Sequence, residues 1–523
     1  MKRLFCILAI LTGLLLSQGA QATDYSGQVS IGYVFMDEEG DLSLNQPTYN
    51  EYEGVALSLR QLRFNLKDGT YIFGDLKNVT LNNRNLRAGV SKPGLFYLAL
   101  DSKQYRRVYS ADGVQNTQRA VSGGTAWVQP HKNVKVFGGY SLTHRRGSFI
   151  ELYELGGPPP AKNVDFKNQF YNGGVVIGER LRSIELEYKG QSYTDELGVA
   201  DDYKTSRFRA SGRSAIPRYE RLWVNAGYEL YQRQRQTLGD SIETNLGWGG
   251  LRLNLDQGIT AKYSFLWDRT RSTSEAVATD NIVNAFGVEK TFMQKGGIGV
   301  GYRYQLKDDI FHELQGHSFF ASGWYRPTPK IDLRADVGTS NLDDKQATTL
   351  AGDDENTRYR ISASFHDTPG KLRIKYESRE QKRDDIGSSI DYDRFGADLT
   401  LNRDAYGRLT VSYSNIQGEY VNALSTFEVD DHLLDGLVET RKFYGVQALF
   451  GGTYMRSKKD LDTERFSVKA GGRFTFAKRY TLEAIYTAHN YDNFLDANNP
   501  GIYTEYYTAN IVEVNLISEL GMP

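Results

Sequence analysis

His312-Glu-Leu-Gln-Gly-His317 places two histidines and a carboxylate close together, the residue types of a zinc-activated hydrolase. That chemistry needs histidines at i and i+4 on one helix face, with the glutamate as base. Here the spacing is i and i+5, in a stretch that reads as an exposed β loop, so the two rings are not aimed at one ion. The runs Asp37-Glu38-Glu39 with Asp41, Asp353-Asp354-Glu355 and Asp430-Asp431 offer the oxygen ligands that Ca²⁺ takes. They read more simply as solvated outer loops. No Gly-x-Ser-x-Gly elbow occurs, and the histidines share no spacing. The single cysteine, Cys6, falls in the leader, so the mature chain has no thiolate metal site, disulfide or Cys-x-x-Cys-His haem attachment. The expectation is therefore a protein that is not an enzyme, with no cofactor or metal of its own.

The elements that would position any site are strands. Met1-Lys2-Arg3, the apolar run Leu4 to Leu16 and the small-x-small Ala20-Gln21-Ala22 read as a secretory signal peptide over 1–22, leaving 23–523 as the mature domain. Period-two alternation begins almost at once, with Tyr25, Val29, Ile31, Tyr33 and Phe35 on one face. It returns at Leu222, Val224, Ala226, Tyr228 and Leu230, at Ile298, Val300, Tyr302 and Tyr304, and last at Val512, Val514 and Leu516. No helical period stands out. With 35 tyrosines, 52 glycines and only 12 prolines, the composition suits long strands. A net charge of −1 argues against a nucleic-acid partner.

Two classes of connection take turns. Gln129–Asn133, Leu255–Gly258, Met293–Gly297, Arg326–Lys330 and Asp367–Lys371 are short; Thr194–Asp202, Leu342–Asn356, Lys382–Asp391 and Glu419–Glu439 are long and acidic. A membrane barrel segregates loops this way, with short turns facing the periplasm and long loops facing outside. The chain therefore reads as all-β, a large transmembrane antiparallel β-barrel in the outer membrane of a Gram-negative bacterium. At roughly forty residues per hairpin with its connections, the strand number comes to about 22–28. Alternation starting at Tyr25 leaves no room for a separate plug domain ahead of it.

The apolar face of each strand then meets lipid, and the charged face meets the lumen. Arg207, Arg209, Arg334, Arg358, Arg360, Arg373, Lys375, Glu377, Lys469 and Arg473 are the candidate lumen-lining residues, in contact with a partner or a solute. Their mixed signs do not read as a selective filter. Tyr33, Trp127, Trp223, Trp267 and Tyr376, near strand ends, are expected in the interfacial girdles. A lumen so wide would leak unless a long loop, best Glu419–Glu439, folds inward or another protein occupies it.

Gln61 to Gly113 adds a resemblance. A strand ending in Leu81-Asn-Asn-Arg-Asn85, a glycine-containing strand, the Lys92-Pro93-Gly94 turn, and a strand followed by Tyr105-Arg106-Arg107 resemble the MtrB/PioB family of outer-membrane barrels. The stretch is about a tenth of the chain. It lacks the Cys-x-x-Cys that some members carry near the N-terminus. The chain also ends in Leu-Gly-Met-Pro, without a final aromatic residue. The resemblance implies a porin-like sheath around a periplasmic multihaem c-type cytochrome, supporting electron transfer across the membrane, with an outer-surface cytochrome as a further partner and all haem carried by the partners. The alternative is a solute-diffusion porin with an inward-folded loop.

Overall fold

The computed structural model describes residues 22–521 except 43–49, 111, 151–160, 180, 217–218, 237–238, 274–277, 310–312, 345–353, 368, 384–386, 404–405, 423–424, 461, 478 and 494–505. Residues 1–21 of the expected leader, His312 and Asp353 lie outside the described residues.

The described chain is a single antiparallel sheet of 26 strands, from β1 (Ala22–Gly40) to β26 (Tyr506–Leu520). Each strand pairs with the next in sequence. β1 also pairs with β26, Gly27 opposite Leu520 through Gly40 opposite Tyr507, so the sheet closes without an edge. Among the described residues the only helical turn is the short 3-10 turn Asp256–Gly258. A 14-residue strand such as β19 (Gly370–Arg383) is about 46 Å long, and tilted as barrel strands are it crosses about 35 Å. That exceeds the roughly 25 Å apolar band of an outer-membrane barrel.

The alternation explains the wall. Ile31, Tyr33 and Phe35, or Ile361 and Phe365, or Leu372, Ile374 and Tyr376, are large apolar or aromatic side chains exposed on the convex surface. The intervening residues face the lumen. A water-soluble sheet would bury that apolar row; a barrel in lipid leaves it outside.

The connections segregate in part. Those on one side are tight, as at 132–133, 255–258, 326–330 and 441–445; the other side holds the longest, between Gly40 and Gly54, Ile150 and Ala161, and Asn493 and Tyr506, but also short ones, and the expected long loop Lys382–Asp391 is strand up to Arg383 and again from Ser388. Lys92-Pro93-Gly94-Leu95 is a tight turn with Leu95 N donating to Lys92 O at 3.0 Å and Gly94 at φ 77°. Proline second and a left-handed third residue are what a type II turn requires.

Two expectations are corrected. Glu419–Glu439 is not a long inward loop. It belongs to β21 (Gly407–Val421) and β22 (Thr426–Thr440), joined at 422–425, with Tyr413 opposite Leu434 and Glu419 opposite Glu428. Its acids are strand residues that a wet lumen and an exposed rim both tolerate. In the Gln61–Gly113 stretch, Leu81 to Arg84 form a connection rather than a strand end, and Tyr105-Arg106-Arg107 lie within β5 (Phe96–Val108).

Candidate functional site: the inner wall of the barrel

The ten candidate residues all lie on the face opposite the exposed apolar row. In β18 (Asp354–Asp367), Arg358 and Arg360 alternate with the exposed Tyr359 and Ile361. In β19, Arg373, Lys375 and Glu377 alternate with Leu372, Ile374 and Tyr376. Register joins them: Arg360 is opposite Glu377, Ser364 opposite Arg373, and on the next strand Arg394 is opposite Glu377 and Asp398 opposite Arg373. Arg207 and Arg209 in β10 (Tyr203–Ile216) stand opposite Tyr231 and Glu229. Arg334 of β17 (Ile331–Asp344) stands opposite Trp324. Lys469 and Arg473 of β24 (Thr463–Phe476) stand opposite Thr487 and Glu483. The structure thus groups Arg334, Arg358, Arg360, Arg373, Lys375 and Glu377 on three adjacent strands, Arg334 opposite Ser362 and Ser362 opposite Lys375, and keeps Arg207 and Arg209, and Lys469 and Arg473, in separate arcs.

Signs are mixed along the chain, and in several ion pairs of the wall the carboxylate lies deeper than its cationic partner. Glu229 is 9% exposed against 41% for its partner Arg207, with Nη2 and Oε2 2.5 Å apart. Glu187 is 10% exposed against 45% for Lys189, and Glu377 18% against 48% for Arg358, which it meets at 2.6 Å. Glu483 under Arg473 and Asp332 under Arg334 repeat the arrangement. Short carboxylates lie flat on the wall, while long guanidinium and ammonium stems carry their charge outward into the lumen. Glu377 also accepts a hydrogen bond from Tyr392 Oη at 3.2 Å. At these pairs the charge presented to the lumen is cationic, whereas Lys375 and Asp398, and Lys262 and Glu289, are about equally exposed.

Aromatic side chains form the second inner feature. Phe73 stacks on Tyr97 at 5.7 Å, and Tyr97 on Trp127 at 6.4 Å, with Lys135 4.7 Å over the Trp127 ring and Arg63 4.4 Å over Tyr71. Arg209 lies 4.9 Å over Trp248. Glycines make room for several of these rings. A Cβ on Gly227 would fall 2.1 Å from Trp248, and one on Gly301 2.0 Å from Phe320. Trp127 and Trp223 therefore do not sit in the interfacial girdles. Trp127 pairs with Phe137 and Trp223 with Arg252, both on the inner face. Tyr33, Trp267 and Tyr376 do face outward.

A cluster at the seam, missed from sequence, narrows the outer mouth. Leu81 is buried against the inward-facing Val34, Ala56 and Ile511, and Tyr52 packs beside it. Leu42 packs on Tyr507 and Ala509, and Asn50 Oδ1 accepts from Arg106 N at 2.6 Å. Glu51 is drawn in with these connections. Burial raises its carboxyl above its ordinary value of 4.5, the Glu513 carboxylate adds to the rise, and Lys77 and Lys469 oppose it. The signal was Leu81, an isolated apolar residue in a polar connection.

The other candidates resolve simply. Glu313 and His317 belong to β16 (Glu313–Tyr325), so the stretch is a strand and not a loop; Tyr302 Oη and His317 Nδ1 are 2.7 Å apart. Among the described residues no group of three His, Cys, Asp or Glu side chains is placed to hold a metal ion.

Comparison with solved structures follows from this geometry. The fold is shared with siderophore receptors. The siderophore receptor PirA from Acinetobacter baumannii is 7% identical with TM-score 0.53, over 95% of this chain and 80% of that one. The siderophore receptor PirA from Pseudomonas aeruginosa is 8% identical with TM-score 0.51, over 82% and 80%. The FrpB iron transporter from Neisseria meningitidis is 9% identical with TM-score 0.51, over 82% and 81%. At such identities the likeness is one of fold, that of a large outer-membrane β-barrel. No model of a known protein family matches the chain, and no curated protein matches it in sequence.

Proposed function

We propose that this chain is an outer-membrane sheath whose lumen houses a multihaem c-type cytochrome, so that electrons cross the membrane inside it. The observation that carries the proposal is the wide closed wall, whose described residues are strands and their connections, none forming a domain inside the lumen. Twenty-six strands at about 4.8 Å spacing and the usual tilt enclose a circle about 50 Å across, or about 40 Å between side chains. A compact domain of ~100 residues is about 34 Å across and fits that bore. An unfilled hole of such size would abolish the permeability barrier. A polar protein cannot cross hydrocarbon bare, and a closed sheet with a charged interior removes that cost. The resemblance of Gln61–Gly113 to the MtrB/PioB family supports the choice of cytochrome, and outer-surface cytochromes would take the electrons onward. The haem belongs to the partners.

A second reading, a solute-diffusion porin narrowed by its own connections, draws support from the packing of 50–53 and 78–84 into the mouth. Purification of the barrel from its native membrane, followed by in-gel haem staining, separates the two. The sheath requires a covalent-haem protein at near-equal stoichiometry. A haem-free barrel that conducts ions freely would leave the porin standing.

A further inference from the structure

The inner wall carries an open recess. A cavity of about 1290 Å³ opens on the lumen between β11 (Tyr219–Arg235) and β16. Its floor is made of small residues, with Gly250, Ser264, Ala285, Gly287 and Gly299 facing inward on adjacent strands. Trp223 and Trp248 border one side and Phe320 the other. Five strand spacings separate those borders, about 24 Å, against the 10–12 Å width of an α-helix with its side chains.

The charge of this trench is uneven. Arg213, Arg252, Arg303 and Lys262 face Glu289 and Asp268. Lys262 is bonded to Glu289, and Asp268 accepts from the neutral Asn281 at 2.7 Å, so one acid stands without an ion pair against three arginines. The three arginines are bonded only to neutral groups: Arg213 to Ser183 at 3.2 Å, Arg252 to Asn254 at 3.2 Å and Arg303 to Gln305 at 3.0 Å. Their charge is thus left for whatever enters.

We infer that this trench seats an acidic polypeptide segment of the protein housed in the lumen, its apolar side chains against Trp223, Trp248 and Phe320 and its carboxylates on Arg213, Arg252 and Arg303. The inference rests on the sheath reading. Charge complementarity fixes the sign of the occupant, and the floor of small residues leaves room for its bulk.

Site-specific photo-crosslinking in the native membrane tests it. Gly287 accepts a side chain, since the nearest atom to an added Cβ is Val300 O at 3.5 Å; Gly396, inward on β20 (Ser388–Arg403) and outside the trench, has Tyr413 O at 3.7 Å. Benzoylphenylalanine is placed at each in turn, and heat-modifiable mobility confirms a folded barrel. The expected result is a crosslink from position 287 to a covalent-haem protein, through a segment richer in Asp and Glu than in Lys and Arg. R252E/R303E should lower the yield of that complex about tenfold. A crosslink from 396 but not from 287 overturns the trench while leaving the sheath in place. Capture of a neutral or basic segment at 287 overturns the charge argument. Crosslinks from neither position, with no haem protein recovered, bring down both.

Discussion

Without the proposed lumen partner, the barrel should be one of the widest pores of its class. The perturbation is expression of this chain alone, without any c-type cytochrome, followed by reconstitution into a planar bilayer. The magnitude follows from the wall. With 26 strands, a bore of about 40 Å and a length of about 50 Å give a conductance on the order of 10 nS in 1 M KCl. Connections 50–53 and 78–84 cover only the part of the mouth nearest β1, β2 (Gly54–Leu66) and β26, and should not reduce this by as much as tenfold. The current should favour anions, because Arg207, Lys189, Arg358 and Arg473 reach into the lumen over sunken carboxylates. Adding the native partner should cut conductance at least tenfold. The measurement is single-channel current with the reversal potential in a salt gradient. A lone barrel that conducts below about 1 nS would refute the reasoning, since the chain would then fill its own lumen. A cation-selective current would refute the depth argument separately.

Other outcomes follow from single contacts. Replacing Arg473 with Met strands Glu483, which is 8% exposed; denaturant unfolding in micelles should show a loss of about 1–2 kcal/mol, discounted for Arg473's partial exposure, and R473M/E483Q should recover most of it. Gly227→Val would push a methyl into Trp248, whose ring lies 2.1 Å from the Cβ position; expect about 1–3 kcal/mol of destabilisation and a red-shifted tryptophan emission as the ring leaves the wall. Glu51 has a raised carboxyl pKa, so the packing of 50–53 is complete below its ordinary 4.5 and weakens as pH rises through the raised value; hydrogen exchange there should quicken with pH beyond its intrinsic dependence in wild type, and not in Glu51→Gln. Asp68 behaves oppositely. The Thr70 amide, Lys92 and the Thr70 hydroxyl hold its pKa to about 2, so wild type should exceed Asp68→Asn in melting temperature above pH 4, with the gap closing towards pH 2.

Much of this was written along the chain. A row such as Leu222, Val224, Ala226 assigns a face to every residue between its members, so the inward placement of Arg207, Arg358 or Lys375 follows from alternation alone. Trp223 stands between Leu222 and Val224 and faces inward, against the general liking of tryptophan for membrane interfaces. The hairpin in Glu419–Glu439 is hidden in the sequence for another reason. Acids on both faces erase the alternation where a strand rises past the membrane, and such a strand reads as a loop.

By itself the sequence determined the fold class, the range of strand number, the side each strand shows to lipid and the alternation of loop lengths. These are local properties with a period of two. The tertiary structure alone decided closure at 26 strands, the packing of Leu81 and Glu51 into the mouth, and the trench between Trp223 and Phe320. It also set which charge of several ion pairs reaches into the lumen. Which charge lies deep depends on side-chain length and on the cross-strand neighbour, and that neighbour is a residue tens of positions away.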